Sequence, residues 1–264
     1  EEVSAEIDSA KFGSIFHYAA EHIYKEITAH GKVINKDTLE ALLQEEVKLQ
    51  NYVDNGFKEL FFHLPADERP KYNGVQLINS AVILRYIQQL LHNDLRHAPF
   101  TFVGSEQRVM EDVEIQTPKG VIRSRMGGII DRMDSKDNVL RIVDYKTGGK
   151  ADTPPSVESL FTPGPKRSNY VFQTFLYAAI MSRKQSLMVA PALLYIHRAA
   201  SESYSPVIEM GEPRKPKIPV NNFAFFEDEF RERLQALLEE IFNEKEPFMQ
   251  TEDTKKCSYC DFKA

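Results

Sequence analysis

Two short apolar segments that each end in an aspartate constrain the fold of this chain more than any other feature. One segment ends at Asp131 and the next at Asp144, and the intervening residues 134–138 are polar turn formers. This pattern predicts a β-hairpin. Because side chains alternate along a strand, Asp144 and Lys146 share one face, and Asp131 can meet Asp144 across the hairpin. The sequence therefore predicts two carboxylates and a lysine at the end of an antiparallel strand pair.

The chemistry of these three residues suits a divalent metal ion. Two carboxylates that lie close together in a partly buried site repel each other, and a hard cation relieves the repulsion. Mg²⁺ also lowers the pKa of bound water, and the ammonium group of Lys146 would orient that water or offset charge in a transition state. Charged residues also end many surface hairpins, so a solvated hairpin end is the alternative for these residues taken alone.

Longer motifs surround these residues. Gly-Ile-Ile-Asp-Arg at 128–132 and Ile-Val-Asp-Tyr-Lys-Thr-Gly at 142–148 resemble the core motif of the PD-(D/E)XK nucleases, and specifically of their RecB-like branch. The Gly-X-X-X-His pattern that ends at His17 resembles the first helix of that branch, and Gln-X-X-X-Tyr at 173–177 resembles the helix after the catalytic strands. Glu106 falls where the family has a further acidic residue on its first core strand. These matches follow the family order and cover almost the whole chain.

The resemblance implies an α/β fold with a restriction-endonuclease-like core, in which a mixed central sheet is flanked by helices, together with additional N-terminal helices. We interpret residues 1–264 as a single RecB-like nuclease domain, and as a C-terminal fragment of a larger protein. Residues 1–98 are expected to be mainly helical, 99–210 to form the catalytic α/β core, and 222–264 to form a C-terminal helix and cysteine tail. The sequence pattern predicts helices at 12–28, 37–62, 74–96, 169–184 and 226–244, and strands at 100–115, 121–134, 138–146 and 187–198.

The resemblance also implies roles for individual residues. The metal ligands that it implies for Mg²⁺ or Mn²⁺ are His17, Asp131, Asp144 and the carbonyl group of Tyr145. The catalytic residues that it implies are Glu106, Asp131, Asp144, Lys146, Gln173 and Tyr177. Lys146 would act on the nucleophilic water. Gln173 and Tyr177 would position the scissile strand, and Glu106 would act through a second metal ion or a water molecule.

Each accessory residue also has a purely structural explanation. His17 lies one position away from the apolar stripe of its helix, where a half-buried histidine is common. Aromatic residues at helical spacing are usually core residues, which would account for Tyr177. Glu106 would then lie on the solvent face of its strand.

The distribution of charge bears on a nucleic-acid partner. The formal net charge is −6, with 33 Lys and Arg against 39 Asp and Glu, whereas binding to DNA depends largely on basic residues that neutralise phosphates. No acidic residue lies between Ser159 and Ser201, however, so a separate basic rim is available for the DNA backbone. The residues predicted to bind DNA are Lys166, Arg167, Arg123 and Arg125.

The cysteines lie together as Cys257-Ser-Tyr-Cys260. In a cytosolic chain, Cys-X-X-Cys is typical of half a metal site or of a redox pair. Several RecB-like nucleases hold a [4Fe–4S] cluster with one early and three late cysteines, so the resemblance implies that Cys257 and Cys260 bind such a cluster in the full-length protein. Residues 1–264 contain too few cysteines to complete it, and a relic pair is the alternative.

The function implied is metal-dependent hydrolysis of DNA phosphodiester bonds, expected to be exonucleolytic, by the nuclease module of an AddB-like helicase-nuclease in double-strand-break repair and recombination. The expected partners are DNA ends and a helicase-nuclease subunit. No apolar segment approaches the roughly 20 residues of a membrane span, and no secretory signal is recognisable, so we expect a cytoplasmic protein without a membrane partner. The alternatives are a free-standing CRISPR-adaptation or phage-type exonuclease, or a non-catalytic DNA-binding scaffold. Cleavage polarity, strand preference and exonuclease or endonuclease mode stay open.

Overall fold

The computed structural model describes residues 7–65, 67–164, 167–249 and 256–260. Within them, helices α1 to α6 span Ser9–Ile27, Lys36–Gln44, Glu46–Phe57, Gly74–His97, Asn169–Ser182 and Ala224–Ile241. Strands β1 to β7 span Val33–Ile34, Phe100–Thr117, Gly120–Lys136, Val139–Lys146, Met188–Tyr195, Glu209–Met210 and Ile218–Pro219. Strands β1 to β5 form one sheet in that order, and β6 pairs with β7. The predicted α/β fold, a mixed sheet flanked by helices, is confirmed.

The hairpin that carries the two aspartate motifs consists of β3 and β4. The strands pair in antiparallel register, with Lys136 opposite Val139 next to the turn. The turn residues Asp137 and Asn138 both have positive φ, 49° and 63°, as a tight hairpin turn requires. Asp and Asn adopt this conformation more readily than most residues. The polar turn therefore fixes the register of the two motifs.

The chain divides into two compact units. Unit 1 consists of Glu1–Gln107, Ile129–Ala151 and Ala192–Val207, and unit 2 consists of Arg108–Gly128, Asp152–Pro191 and Ile208–Ala264. Helices α1 to α4 belong to unit 1, whereas α5 and α6 belong to unit 2. Strands β2, β3 and β5 pass from one unit into the other.

Helix α1 supplies much of the core of unit 1. It begins after Asp8, whose side chain accepts a hydrogen bond from the N–H of Lys11 at 2.6 Å and so satisfies a free amide of the first turn. Apolar residues recur at helical spacing and bury one face of the helix. The buried residues of α1 are Ile15, Phe16, Ala19, Ala20, Ile23 and Tyr24. His17 lies beside this face and is half-buried.

The helix predicted at 37–62 is not continuous. It is interrupted at Glu45, whose backbone has φ −93° and ψ 56°, and it separates into α2 and α3. After Phe57 the chain continues as a short π-helix, Lys58–Phe62. The interruption allows both helices to bury apolar residues in the same core, namely Leu39, Leu42, Leu49, Val53 and Phe57.

A buried charge network joins the helices of unit 1 to the hairpin. The guanidinium group of Arg132 donates to both carboxylate oxygens of Asp94, at 2.5 and 2.9 Å, and to the hydroxyl of Tyr24 at 2.7 Å. Its Nε atom lies 3.1 Å from Oδ2 of Asp134. Burial alone would raise the pKa of Asp134, but the charges of Arg141 and Arg132 outweigh it and hold that pKa well below its ordinary value. The network therefore ties α1 and α4 to β3 and β4.

Unit 2 has an aromatic core. Rings of the chain before α5, of α5 itself and of the region around α6 pack with centroids 5.2 to 6.0 Å apart. Edge-to-face and tilted contacts of this kind add to the stabilisation that burial provides. The residues are Phe161, Phe172, Phe175, Phe223 and Phe230.

Gly127 on β3 lies against the backbone of β2. A Cβ atom at this position would lie 1.9 Å from the carbonyl oxygen of Val109 and 2.9 Å from the Cα atom of Met110. We therefore expect Gly127→Ala to lower the free energy of unfolding by about 1–3 kcal/mol, the usual cost of overpacking. Gly31→Ala is the matched control, because nothing lies within 4 Å of its added Cβ. Equal urea midpoints for the two variants would contradict the prediction.

Candidate active site

Three potential metal ligands from three elements converge in unit 1. Helix α1 contributes His17, strand β2 contributes Glu106 and strand β3 contributes Asp131. The Nδ1 atom of His17 lies 3.2 Å from Oε1 of Glu106 and 3.6 Å from Oδ1 of Asp131. One potential ligand atom from each residue lies within 4.8 Å of the other two. One imidazole and two carboxylates therefore face a common point, which we call the ligand triad.

The backbone at Glu106 is strained. This residue has a φ of 49° inside β2, whereas residues of a regular strand have negative φ. Nearby, a Cβ atom on Gly104 would lie 2.0 Å from the side chain of Gln107, so the Gln107 side chain packs directly over this glycine. Strained positions of this kind cost about 1–3 kcal/mol and are concentrated at functional sites. The irregularity supports a functional role for the Glu106 carboxylate.

Asp131 is held by the backbone of the neighbouring strand. Its Oδ2 atom accepts a hydrogen bond from the N–H of Tyr145 at 2.6 Å. Burial and the nearby charge of Asp144 raise the pKa of Asp131 to about 7. A carboxylate with so high a pKa is poorly compensated without a cation, and a divalent ion would supply the missing positive charge.

Asp144 and Lys146 form an ion pair at the end of β4. The Nζ atom of Lys146 lies 2.6 Å from Oδ2 of Asp144, and their side chains are 16% and 4% exposed. Burial raises the pKa of Asp144, although the charge of Lys146 counteracts it. This contact is consistent with the prediction that Asp144 and Lys146 share one face of the strand. Lys146 is therefore a half-buried ammonium group that is paired with the buried Asp144.

The electrostatic environment of His17 is dominated by carboxylates. Burial alone would lower its pKa, but the hydrogen bond to Glu106 and the charges of Asp131, Glu106 and Asp144 outweigh burial and raise it. Metal binding requires neutral imidazole, so an incoming cation would displace the proton of His17.

The order and geometry of these residues agree with one known protein family. A family model described as the PD-(D/E)XK nuclease superfamily matches residues 1–264. The chain belongs to the PD-(D/E)XK nuclease superfamily. No curated protein matches its sequence. The membership confirms the superfamily part of the resemblance, whereas the RecB-like and AddB-like assignments stay predictions.

PD-(D/E)XK nucleases use divalent metal ions, and the ligand triad fits such an ion. Carboxylate oxygens suit Mg²⁺ and Mn²⁺, and a cation at this point would offset the burial and the repulsion from Asp144 that raise the pKa of Asp131. Among the predicted ligands, Asp144 is paired with Lys146, and Tyr145 contacts Asp131 through its N–H. Direct ligation by these two residues stays a prediction. Glu106, predicted to act through a second ion or water, shares the triad with His17.

The ring of Tyr145 lies between the nuclease site and the buried charge network. It packs edge-on against the His17 ring, with centroids 5.7 Å apart. The guanidinium carbon of Arg132 lies 5.6 Å from the centroid of the same ring. Cation–π and edge-to-face contacts both favour a fixed ring orientation. Tyr145 therefore supports one member of the ligand triad through its ring and another, Asp131, through its backbone.

Gln173 and Tyr177 lie one turn apart on α5 in unit 2, as predicted. The side-chain amide of Gln173 donates to the hydroxyl of Tyr177 at 3.1 Å, and Tyr177 is 6% exposed. A Cβ atom on Gly128 would lie 2.5 Å from the Tyr177 hydroxyl, so glycine leaves room for the phenol. Their role in positioning a scissile strand stays a prediction.

The residues predicted to bind DNA lie in different surroundings. Arg123 is 85% exposed and pairs with Glu114, with Nε 3.0 Å from Oε1. Arg125 is exposed, and Arg167 donates to the side chain of Asn169 at 3.1 Å. Lys166 lies outside the described residues. Contact of these residues with DNA stays a prediction.

The cysteines Cys257 and Cys260 are not joined by a disulfide bond. They lie on and just after a short 3₁₀ turn, where the N–H of Cys260 contacts the carbonyl oxygen of Cys257 at 3.2 Å. Cys257 is half-buried and Cys260 is exposed. Their role as iron–sulfur ligands stays a prediction.

Sequence reasoning did not identify the residues that hold β3 beneath the site. Asp94 and Tyr24 bind Arg132, the residue after the predicted ligand Asp131. A charged residue on a helix is usually a surface residue, so nothing in the local pattern around Asp94 signals a buried partner. Arg132 was the signal in the sequence that predicts such a partner. An arginine at a buried strand position needs a carboxylate to compensate the charge of its guanidinium group.

Proposed function

We propose that this chain is a metal-dependent deoxyribonuclease in which the ligand triad holds Mg²⁺ or Mn²⁺. The observation that carries the proposal is the convergence of one potential ligand atom each from His17, Glu106 and Asp131 within 4.8 Å. The ion pair between the buried Asp144 and the half-buried Lys146 adds an ammonium group beside this acidic site. Superfamily membership supports nuclease chemistry and a nucleic-acid substrate.

Each residue of the site has a distinct role in the proposed reaction. A bound divalent cation would supply Lewis acidity and lower the pKa of a water molecule. Glu106 and Asp131 would hold the cation, and the N–H of Tyr145 would keep the Asp131 carboxylate oriented. Lys146 would orient the attacking water or stabilise negative charge that develops on the phosphoryl oxygens. Asp144, at 2.6 Å, keeps the Lys146 ammonium in place.

We further infer exonucleolytic cleavage of DNA ends by an AddB-like helicase-nuclease in double-strand-break repair. The support is the order of the RecB-like motifs along the chain, from His17 to the pair at 173–177. A helicase-nuclease partner subunit, a cytoplasmic location and a [4Fe–4S] cluster at Cys257 and Cys260 belong to the same proposal. In the described parts of the chain, the helices lack the combination of length and apolarity that a membrane span needs.

The decisive experiment compares wild-type protein with Lys146→Ala. End-labelled linear single-stranded and double-stranded DNA and closed circular DNA are incubated with Mn²⁺ or with EDTA. We expect Mn²⁺-dependent cleavage of the linear substrates only, and a loss of at least about 100-fold in rate for Lys146→Ala, which is typical of removing one transition-state contact.

Lys215→Ala is the matched control, because it removes a 65% exposed lysine elsewhere on the chain. This variant should cleave at the wild-type rate. Circular dichroism and thermal unfolding establish that both variants are folded. Full activity of Lys146→Ala would refute the role assigned to Lys146. Cleavage of the closed circular DNA by the wild type would refute the exonuclease mode. If the wild type neither cleaves DNA nor shows a Mn²⁺-induced thermal shift, the chain is a scaffold domain.

A further inference from the structure

An open groove runs along α1 directly beside the ligand triad. Its volume is about 520 Å³, and His17 and Glu106 form one end of its lining. The small residues Ala10, Gly13 and Ser14 line the part of the groove along the helix. Small-molecule sites commonly have volumes of about 300–1,000 Å³. The groove is therefore large enough for part of a nucleotide whose phosphate lies at the triad.

Tyr18 gives the groove an aromatic wall whose position is fixed from two sides. Its hydroxyl donates to Oε1 of Glu59 at 2.8 Å. Its ring stacks on His22, with centroids 3.9 Å apart and an angle of 27° between the planes. Leu60, from the short π-helix Lys58–Phe62, adds an apolar surface to the lining. Single-turn π-helical segments often occur at functional sites.

The charged residues that line the groove indicate which part of a nucleotide it can bind. Within the described chain, none of the residues that line it is lysine or arginine, whereas Glu21 and Glu106 are acidic. Although the Nζ atom of Lys25 lies 2.6 Å from Oε1 of Glu21, the lining itself offers a phosphate group two carboxylates and no ammonium or guanidinium group. A nucleobase is uncharged, offers a π-face for stacking, and carries N–H groups that carboxylates accept. The lining therefore matches a base rather than the sugar-phosphate backbone.

We propose that this groove is a nucleobase subsite, in which the base next to the scissile phosphate lies between Tyr18 and Leu60 while the phosphate lies at the ligand triad. The proposal rests on the proposed nuclease function and adds specificity residues to it. Tyr18 supplies the stacking surface, and Glu21 accepts hydrogen bonds from the base. Ser14 keeps the groove open, because its side chain is small and exposed.

The test uses a single-stranded oligonucleotide of defined sequence and a copy with one abasic residue, both with Mn²⁺ under single-turnover conditions. For the wild type, we expect the bond next to the abasic residue to be cleaved roughly tenfold more slowly than the same bond in the intact strand, as for the loss of one base–aromatic stack. Tyr18→Ala and Ser14→Phe should slow cleavage of the intact strand by a similar factor.

Two controls separate base binding from damage to the metal site. Tyr18→Phe keeps the stacking ring and should slow cleavage of the intact strand less than Tyr18→Ala does, and all three variants should keep the Mn²⁺-induced thermal shift of the wild type. In Tyr18→Ala the abasic residue should cause no further loss, because both changes remove the same contact. Equal cleavage of the abasic and intact strands by the wild type would refute the subsite alone. Absence of any Mn²⁺-dependent cleavage by the wild type would refute the proposed function and the subsite together.

Discussion

Replacing Asp94 with alanine is expected to lower the free energy of unfolding by about 3–5 kcal/mol. The substitution removes the carboxylate that accepts two hydrogen bonds from Arg132, at 2.5 and 2.9 Å, and leaves a guanidinium group that is fully buried. Water cannot replace the lost partner, so the buried guanidinium group keeps only the Asp134 carboxylate, which it shares with Arg141. Urea denaturation followed by circular dichroism would measure the loss.

Glu114→Ala is the matched control, because it breaks an arginine–carboxylate pair that is exposed. The side chains of Arg123 and Glu114 are 85% and 59% exposed, and such pairs contribute about 0–1 kcal/mol. The double variant Asp94→Leu, Arg132→Met should recover much of the stability lost in Asp94→Ala, since it removes the undercompensated guanidinium group while Asp134 keeps its ion pair with Arg141. A cost for Asp94→Ala no greater than that of the control would show that the buried pair does not stabilise the hairpin.

The hairpin was predictable because local and tertiary signals agree there. The apolar residues of β3 and β4 favour strands, and the turn residues Asp137 and Asn138 tolerate the positive φ of a tight turn. The positions of Asp131, Asp144 and Lys146 at the end of the strand pair therefore follow from sequence alone.

The interruption at Glu45 was not predictable in the same way. The sequence from 37 to 62 contains Gly56 but no proline, and its apolar residues continue at helical spacing. The interruption arises because α2 and α3 both contribute to the core of unit 1, and tertiary packing overrides helix propensity. Likewise Leu77 and Ile78 fit the apolar pattern of α4 but are 60% and 65% exposed. Periodicity alone does not reveal which turns of a helix have a packing partner.

The composition of the ligand triad depends on the irregular backbone at Glu106, which the sequence pattern does not predict. The resemblance places His17 and Glu106 in one site although they are 89 residues apart. It does not establish which carboxylates share a cation with the imidazole. That choice depends on the positive φ of Glu106, and a regular strand in this segment would orient its carboxylate differently.

Asp131→Asn is expected to abolish cleavage and to stabilise the metal-free protein at the same time. Burial and the charge of Asp144 raise the pKa of Asp131 from 3.8 to about 7. For an acid with a raised folded-state pKa, the stabilising contribution is complete below about pH 4 and is lost as the pH rises through about 7. Asparagine carries no charge, so the variant should be more stable than the wild type at pH 8, by at least about 1 kcal/mol.

The same variant should lose more than about 100-fold in Mn²⁺-dependent cleavage, because removing a metal ligand should cost at least as much as removing its supporting partner. Asp137→Asn makes the same chemical change at the exposed hairpin turn, where asparagine also tolerates a φ of 49°, and should leave both cleavage and stability unchanged. Urea denaturation from pH 4 to pH 8 with EDTA would show the wild type losing more stability over this range than Asp131→Asn, in which His17 and Asp144 keep raised pKa values. The prediction that the Asp131 carboxylate binds the metal ion would be contradicted if Asp131→Asn were less stable than the wild type at pH 8, or if it still cleaved DNA. A loss of cleavage together with a gain in stability would show that Asp131 serves the activity of the protein and lowers the stability of its metal-free form.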